Sequence, residues 1–379
     1  EFDLTSNSFV DNGFVIAEDK SSSTWYDNDT LLVGSSLNGG STNEAGLPAT
    51  LRLWRRGTNL SSAVTLFEIE NSDAFMFPLL VGATGVDGFV IAKRPNFFES
   101  EYTYIGMDGT KKPLPLPRKA QIIGSFKGGL LLKLYQNWQP TNSDTTYPSG
   151  SLISISLQAL MQEHRIDDAH TLYVPKAGEA IRSTASIDDT LFVELLRSYR
   201  STIVAINKTD NTLQTKTLAL PKDHFITMNG TEAGQLVLKI EAPLTPPRFS
   251  LYQPKEGTEK VLYRAQTAFG TDDLTTKILH TNSADGTPLS YTIIHGKDMV
   301  YDGKNPTLVY GYGGFDIAIT PRYEPIFGKL WLEKGGVYVH AYMRGGGERG
   351  PAWHQAAMLK NRQRPYDDMA AIIEYFHKC

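Results

Sequence analysis

Between Asn28 and Val237 one unit of sequence recurs five times: a polar turn carrying Asp or Gly, followed at once by an apolar strand. It appears as Asn28-Asp29-Thr30-Leu31-Leu32-Val33, Val86-Asp87-Gly88-Phe89-Val90-Ile91 and Lys127-Gly128-Gly129-Leu130-Leu131-Leu132. It returns as Asp188-Asp189-Thr190-Leu191-Phe192-Val193 and Glu232-Ala233-Gly234-Gln235-Leu236-Val237. The intervals are 58, 41, 61 and 45 residues. A period of roughly 50 residues is the size of a propeller blade, and it requires an architecture built by repetition.

Each copy is followed by a second strand pattern, at Leu51–Arg56, Tyr102–Met107, Leu152–Leu157, Thr202–Asn207 and Phe249–Gln253. A third follows at Thr65–Ile69, Pro113–Leu116, Thr171–Val174, Thr217–Leu220 and Lys260–Tyr263. The spacing therefore predicts about five units of several antiparallel strands, packed so that only short edges are left open. A β-sandwich with irregular hairpins is the competing architecture. The 379 residues exceed what one hydrophobic core usually organises, so two domains are expected.

Near residue 272 the pattern changes, which sets the expected domains at 1–271 and 272–379. Lys277–His280 and Tyr291–His295 read as strands joined by the turn Ser283-Ala284-Asp285-Gly286. Pro306–Tyr310 reads as a buried apolar strand, Ile326–Lys334 as a helix and Val337–Ala341 as another strand. Together they predict a parallel sheet covered on both faces. Tyr366–Lys378 carries Met369, Ile372, Ile373 and Phe376 at helical spacing, opened by Asp367 and Asp368 at the positive end of the helix.

The net charge of -4 offers no general attraction for nucleic acid or anionic lipid. No run approaches 18 apolar residues, and Glu1–Asp11 lacks the pattern of a signal peptide. Neither nucleic acid nor membrane is an expected partner. Cys379 is the only cysteine, so no disulfide within the chain is expected. The compartment stays open between cytoplasm and periplasm, with cytoplasm slightly favoured.

Two glycine-rich strings carry the candidate chemistry. Tyr310-Gly311-Tyr312-Gly313-Gly314-Phe315 follows the first of the expected parallel strands, and Gly313 and Gly314 permit a tight turn with close approach to the main chain. The Tyr312 hydroxyl could donate to negative charge developing on a carbonyl oxygen; the alternative is that Tyr312 and Phe315 pack as core aromatics. Arg344-Gly345-Gly346-Gly347-Glu348 follows the next strand, where an Arg344–Glu348 pair is expected to fix the loop. Trp353 and His354 are read as structural. No Gly-x-Ser-x-Gly, HExxH or CxxC occurs, and the eight histidines (His164, His170, His224, His280, His295, His340, His354 and His377) show no metal-ligand spacing. No cofactor or metal is expected.

Pro306–Phe315, Arg344–Glu348, Trp353-His354 and Tyr366-Asp367-Asp368 resemble, in order and spacing, the first half of the peptidase domain of prolyl oligopeptidases. Phe2-Asp3-Leu4, Phe9-Val10, Gly13-Phe14 and Trp25–Val33 also look like the propeller of that family's bacterial members. The resemblance implies a seven-bladed propeller, of which about five blades are found here, followed by the first part of an α/β-hydrolase domain. It implies a serine peptidase that cleaves short peptides on the carboxyl side of proline, the propeller limiting access. Tyr312 matches the tyrosine that supports the oxyanion, and Phe315 an aromatic of the proline-side pocket. Oligopeptidase B carries a different string at this place, which favours proline over basic residues. The triad of serine, aspartate and histidine is expected beyond Cys379, so the chain is expected to be an inactive fragment with short proline-containing peptides as partners. Its unfinished sheet edge is a candidate for association. A non-catalytic propeller that binds peptides or proteins is the alternative.

Overall fold

The computed structural model describes residues 1–81, 86–141, 143–163, 166, 169–209 and 212–376; His164, His377, Lys378 and Cys379 lie outside the described residues. The chain divides into two compact units. One comprises Glu1–Leu134, Trp138–Thr146 and Ile153–His170, the other Tyr135–Asn137, Tyr147–Leu152 and Thr171–Cys379.

A short hairpin of β1 (Phe2–Asp3) and β2 (Ser8–Phe9) precedes five four-stranded sheets whose strands are neighbours in chain order. The first contains β3 (Ser22–Asp27), β4 (Thr30–Gly34), β5 (Thr50–Arg55) and β6 (Val64–Glu68). The second contains β7 (Phe75–Leu80), β8 (Gly88–Asn96), β9 (Glu99–Gly106) and β10 (Lys111–Leu114). The third contains β11 (Ala120–Phe126), β12 (Gly129–Leu134), β13 (Leu152–Ser156) and β14 (His170–Tyr173), with helix α1 (Leu157–Glu163) before its last strand. The fourth contains β15 (Glu179–Ile187), β16 (Thr190–Arg197), β17 (Arg200–Thr209) and β18 (Thr212–Thr217). The fifth contains β19 (Phe225–Glu232), β20 (Gln235–Ala242), β21 (Thr245–Gln253) and β22 (Thr258–Arg264).

In four of the five sheets the repeated polar turn is the two-residue hairpin between the first two strands; in the second, β7 and β8 are further apart in sequence. Lys127 and Gly128, at φ 44° and 82°, close β11 on β12, and Ala233 and Gly234, at 46° and 75°, close β19 on β20. Positive φ at both central residues is the backbone of a type I′ turn, whose twist matches that of the strands it joins. The strand before each turn, absent from the sequence pattern, opens every sheet. In four of the five the register slips along that first strand, at Trp25/Asp27, Ile122/Gly124, Ile181/Ser183 and Met228/Gly230. A bulge interrupts the alternation by which a strand is recognised. The third pattern in the fourth sheet is also corrected: the strand is Thr212–Thr217, exposed throughout and polar but for Leu213, not Thr217–Leu220. Within each unit a pair of successive sheets shares a core. Leu32 and Leu51 meet Phe89, Ile91 and Ile105 in the first unit, and Phe192 and Ile203 meet Ile226, Leu238 and Tyr252 in the second.

The sixth sheet is mixed, with strand order β23-β24-β26-β25. β23 (Leu274–Asn282) and β24 (Pro288–Gly296) form an antiparallel hairpin. β24 pairs antiparallel with β26 (Val337–Tyr342), and β25 (Thr307–Tyr310) pairs with β26 in parallel. The hairpin read at Ser283–Gly286 and the parallel pairing read for Pro306–Tyr310 and Val337–Ala341 are both present, joined by the antiparallel pairing of β24 with β26. The expected burial of Pro306–Tyr310 is corrected: β25 lies at the sheet edge and is largely exposed, whereas β26 is buried along its whole length between two neighbours.

Alternation along β26 feeds both faces. Val337, Val339 and Ala341 meet Trp353 and Ile372 on one side, and Tyr338 meets Phe269, Tyr323 and Leu332 on the other. The helix expected over Ile326–Lys334 is broken. Helix α2 (Pro325–Leu330) stops at Trp331, whose indole N–H donates to Val337 O at 2.8 Å, and a single 3-10 turn follows over Leu332–Lys334. Helix α3 (Pro351–Gln355) is short, and α4 (Arg364–Phe376) is the amphipathic helix read from sequence.

Candidate active site

The two glycine strings leave adjacent parallel strands and meet backbone to backbone. Gly345 has φ 94°, and a Cβ there would sit 2.3 Å from Gly313 O; one on Gly347 would sit 2.2 Å from Asp316 O. Gly313, at φ 58°, leaves a Cβ only 2.9 Å from Pro365 and 3.0 Å from Arg344 O. Glycine is required at all three positions by space, and at Gly313 and Gly345 by torsion as well. Asp316 N–H donates to Gly345 O at 3.3 Å, His354 Nδ1 lies 2.7 Å from the same oxygen, and an Arg362 guanidinium N–H donates to Gly313 O. Trp353 indole N–H donates to Met343 O at 2.9 Å. Trp353 and His354 are both buried beneath the bend.

Tyr312 and Phe315 project from this support. They are 43 % and 52 % exposed, with ring centroids 6.4 Å apart and planes tilted by 33°. The Tyr312 hydroxyl forms no hydrogen bond among the described residues. Tyr312 lines a cavity of about 360 Å³ together with Tyr310, Ile319, Arg322, Glu324 and His340. His340 is buried there, and loss of solvation holds its imidazole down at about 4, so it is neutral near neutral pH.

The expected Arg344–Glu348 pair does not form. Arg344, 3 % exposed, is directed to the other side of its loop, where its Nη2 meets Asp368 Oδ1 at 2.5 Å and Ser283 Oγ at 3.1 Å. Its Nη1 meets Asp285 Oδ2 at 2.5 Å and Thr287 Oγ1 at 3.1 Å, and Asp368 Oδ2 also accepts from Arg344 N–H at 3.0 Å. A planar fork with five donors matches two carboxylates better than one carboxylate reached across three glycines. Hydrogen bonding to Arg344 and Thr287 drives the Asp285 carboxyl far below its usual range. Asp368 is therefore a partner of Arg344 and not a charge placed for the helix end. The signal for it was available: an acid on the apolar side of an amphipathic helix has to be paired.

Glu348 turns toward the other string. It is 1 % exposed, and its Oε1 accepts from Ile319 N–H at 2.8 Å. Burial pushes its carboxyl up to about 7, against the opposing pull of that hydrogen bond. Among the described residues no group of three or more His, Cys, Asp or Glu is placed to hold a metal ion, and no helix is long and apolar enough to cross a membrane.

The model of the prolyl oligopeptidase family matches residues 327–378, the stretch that contains β26, the Arg344 loop and α4. An uncharacterized peptidase, y4nA, of Sinorhizobium fredii is 30 % identical over 99 % of this chain and 52 % of its own length. A prolyl endopeptidase of Elizabethkingia meningoseptica is 33 % identical over 36 % of this chain and 19 % of its own. The solved structure of a post-proline cleaving enzyme from Rickettsia typhi superposes with a TM-score of 0.88 at 26 % identity, covering all of this chain and 57 % of that one. The chain belongs to the prolyl oligopeptidase family. It spans about half the length of the curated relatives it matches along its whole length.

Proposed function

We propose that this chain supplies one side of a serine peptidase active site that cleaves short peptides after proline, with Tyr312 as oxyanion donor and Phe315 as a wall of the proline pocket. The observation that carries the reading is the pair itself: a free phenol and an exposed ring, held side by side at the carboxyl end of a parallel strand by a bend whose backbone is fixed. Such strand ends are where α/β folds hold ligands. A hydroxyl fixed before reaction strengthens its hydrogen bond as the carbonyl becomes an oxyanion, worth about 3–4 kcal/mol in a dry site. The relatives' names speak for proline. The sequence holds no Gly-x-Ser-x-Gly, so the proposal assigns no nucleophile among these residues.

The same reading takes residues 1–271 as blades of a propeller that limits access and 272–379 as part of an α/β-hydrolase domain. Gly313, Gly314, Arg344 and Glu348 act as support and do not touch substrate. The test is hydrolysis of a chromogenic proline peptide by the gene product that contains this chain, with and without Tyr312→Phe. The expected result is a kcat lower by about a hundredfold or more with KM little changed. An unchanged kcat removes the role assigned to Tyr312.

A further inference from the structure

A phenol that is to donate to an oxyanion has to be aimed before the reaction begins. The Tyr312 hydroxyl has no hydrogen-bond partner among the described residues, so its direction is set by the main chain that carries it. Gly345 and Arg344 close on that bend from one side, as described above. From the other side comes the segment that leads into α4. Pro365 lies 2.9 Å from the place of a Gly313 Cβ, and Arg362 Nη1 donates to Gly313 O. Among the described residues no other side chain donates to that oxygen.

Two observations set Arg362 apart from an ordinary surface arginine. It is exposed and forms no ion pair among the described residues, whereas Arg344 and Arg322 are each bonded to a carboxylate. Its charge is directed instead at a neutral carbonyl, and such a charge-assisted bond is stronger than one between neutral groups. A Cβ on Gly314 would sit 3.6 Å from both Arg362 Nη atoms and 3.7 Å from Tyr312 Cε1, which places the guanidinium and the phenol ring against the same residue.

The turn that delivers Arg362 is the second observation. Leu359 has φ 52° although its side chain is 88 % exposed and gains no burial there. Asn361 N–H donates to Met358 O and Arg362 N–H to Leu359 O, both at 3.0 Å, and these bonds close the turn. A bulky residue is disfavoured in the left-handed region and stays there where the path of the chain requires it. Here the path ends with Arg362 on Gly313 O.

We infer that Arg362 is a positioning residue: its guanidinium fixes the Gly313 carbonyl, and through it the direction of the Tyr312 hydroxyl, without touching substrate. This role rests on the reading of Tyr312 as oxyanion donor given above. A donor displaced by about 1 Å loses much of its hold on the developing charge, while ground-state contacts persist, so the loss falls on kcat and not on KM.

The test is a double-mutant cycle in the gene product that contains this chain, read by hydrolysis of a chromogenic proline peptide. Arg362→Ala is expected to lower kcat about tenfold with KM within about twofold of native. Arg362→Lys, which keeps a charged donor for a single acceptor, is expected to return kcat to within about threefold of native. In the Tyr312→Phe background Arg362→Ala is expected to change kcat by less than about twofold, because no hydroxyl is left to aim. An unchanged kcat in Arg362→Ala, an equal loss in both backgrounds, a loss confined to KM, or an Arg362→Lys variant as slow as Arg362→Ala overturns the role. If Arg362→Ala fails to fold, Arg362→Gln carries the same comparison: as a weaker, neutral donor it should lower kcat only while Tyr312 is present. Tyr312→Phe alone separates the two failures. A native kcat in that variant removes the reading of Tyr312 and this role with it, whereas a slow Tyr312→Phe beside a native Arg362→Ala overturns the role of Arg362 alone.

Discussion

The ends of one five-residue loop are treated in opposite ways. Arg344 is buried with Asp368 wholly enclosed beside it, and its donors meet oxygens from the β23–β24 turn and from α4. Glu348 is equally buried but has one hydrogen bond from Ile319 and a bare second oxygen. The first arrangement is a fixed joint between elements far apart in sequence. The second is held by a single acceptor at a carboxyl whose charge changes near neutrality. Burial alone therefore does not distinguish a satisfied joint from an unsatisfied one; the count of hydrogen-bonded atoms does.

The largest expected effect lies at the joint. Arg344→Met leaves Asp368 buried without a cation and should cost about 3–5 kcal/mol in denaturant unfolding; a loss below about 1 kcal/mol would show that the joint is dispensable and erase the contrast. Tyr312→Phe should leave that unfolding within about 0.5 kcal/mol of native, since the phenol is exposed, while lowering catalysis as stated above. A parallel loss of stability would make Tyr312 a structural residue.

Glu348 sharpens the comparison through pH. Its folded carboxyl titrates above its ordinary 4.5, near 7, so between these values the folded chain binds more protons than the unfolded one. Stability is then greatest below the ordinary value and declines as pH rises through the window, by on the order of 2–4 kcal/mol. Glu348→Gln should flatten that decline, and an unaltered slope would assign it to other groups. Among the substitutions expected to destabilise, the smallest effect is at Gly345→Ala, about 1–3 kcal/mol from strained φ and the approach to Gly313 O. A neutral result there would mean that the two bends can separate freely.

Much of this was legible in the sequence, for reasons that differ by element. The five turns announced themselves by their short polar residues, which at Lys127-Gly128 and Ala233-Gly234 take up positive φ at two successive positions, and the strand after each turn is an apolar run. The strands before the turns escaped because bulges such as Ile122/Gly124 break their alternation. Pro306–Tyr310 read as buried because its residues are apolar, yet burial depends on neighbours that composition does not reveal. Tyr312 and Phe315 were singled out by the glycines around them. Asp285, Asp368 and Ile319 were missed as partners because the contacts that define them span 59, 24 and 29 residues, distances at which local patterns carry no information.

The meeting of the two bends through Gly345 and Gly313 is a contact between main-chain atoms, blind to what hangs from the neighbouring positions. The aromatic residues at 312 and 315 can therefore be exchanged during divergence while the platform beneath them is inherited intact. A lineage built on this scaffold is free to explore new preferences in its ligands without renegotiating its own architecture.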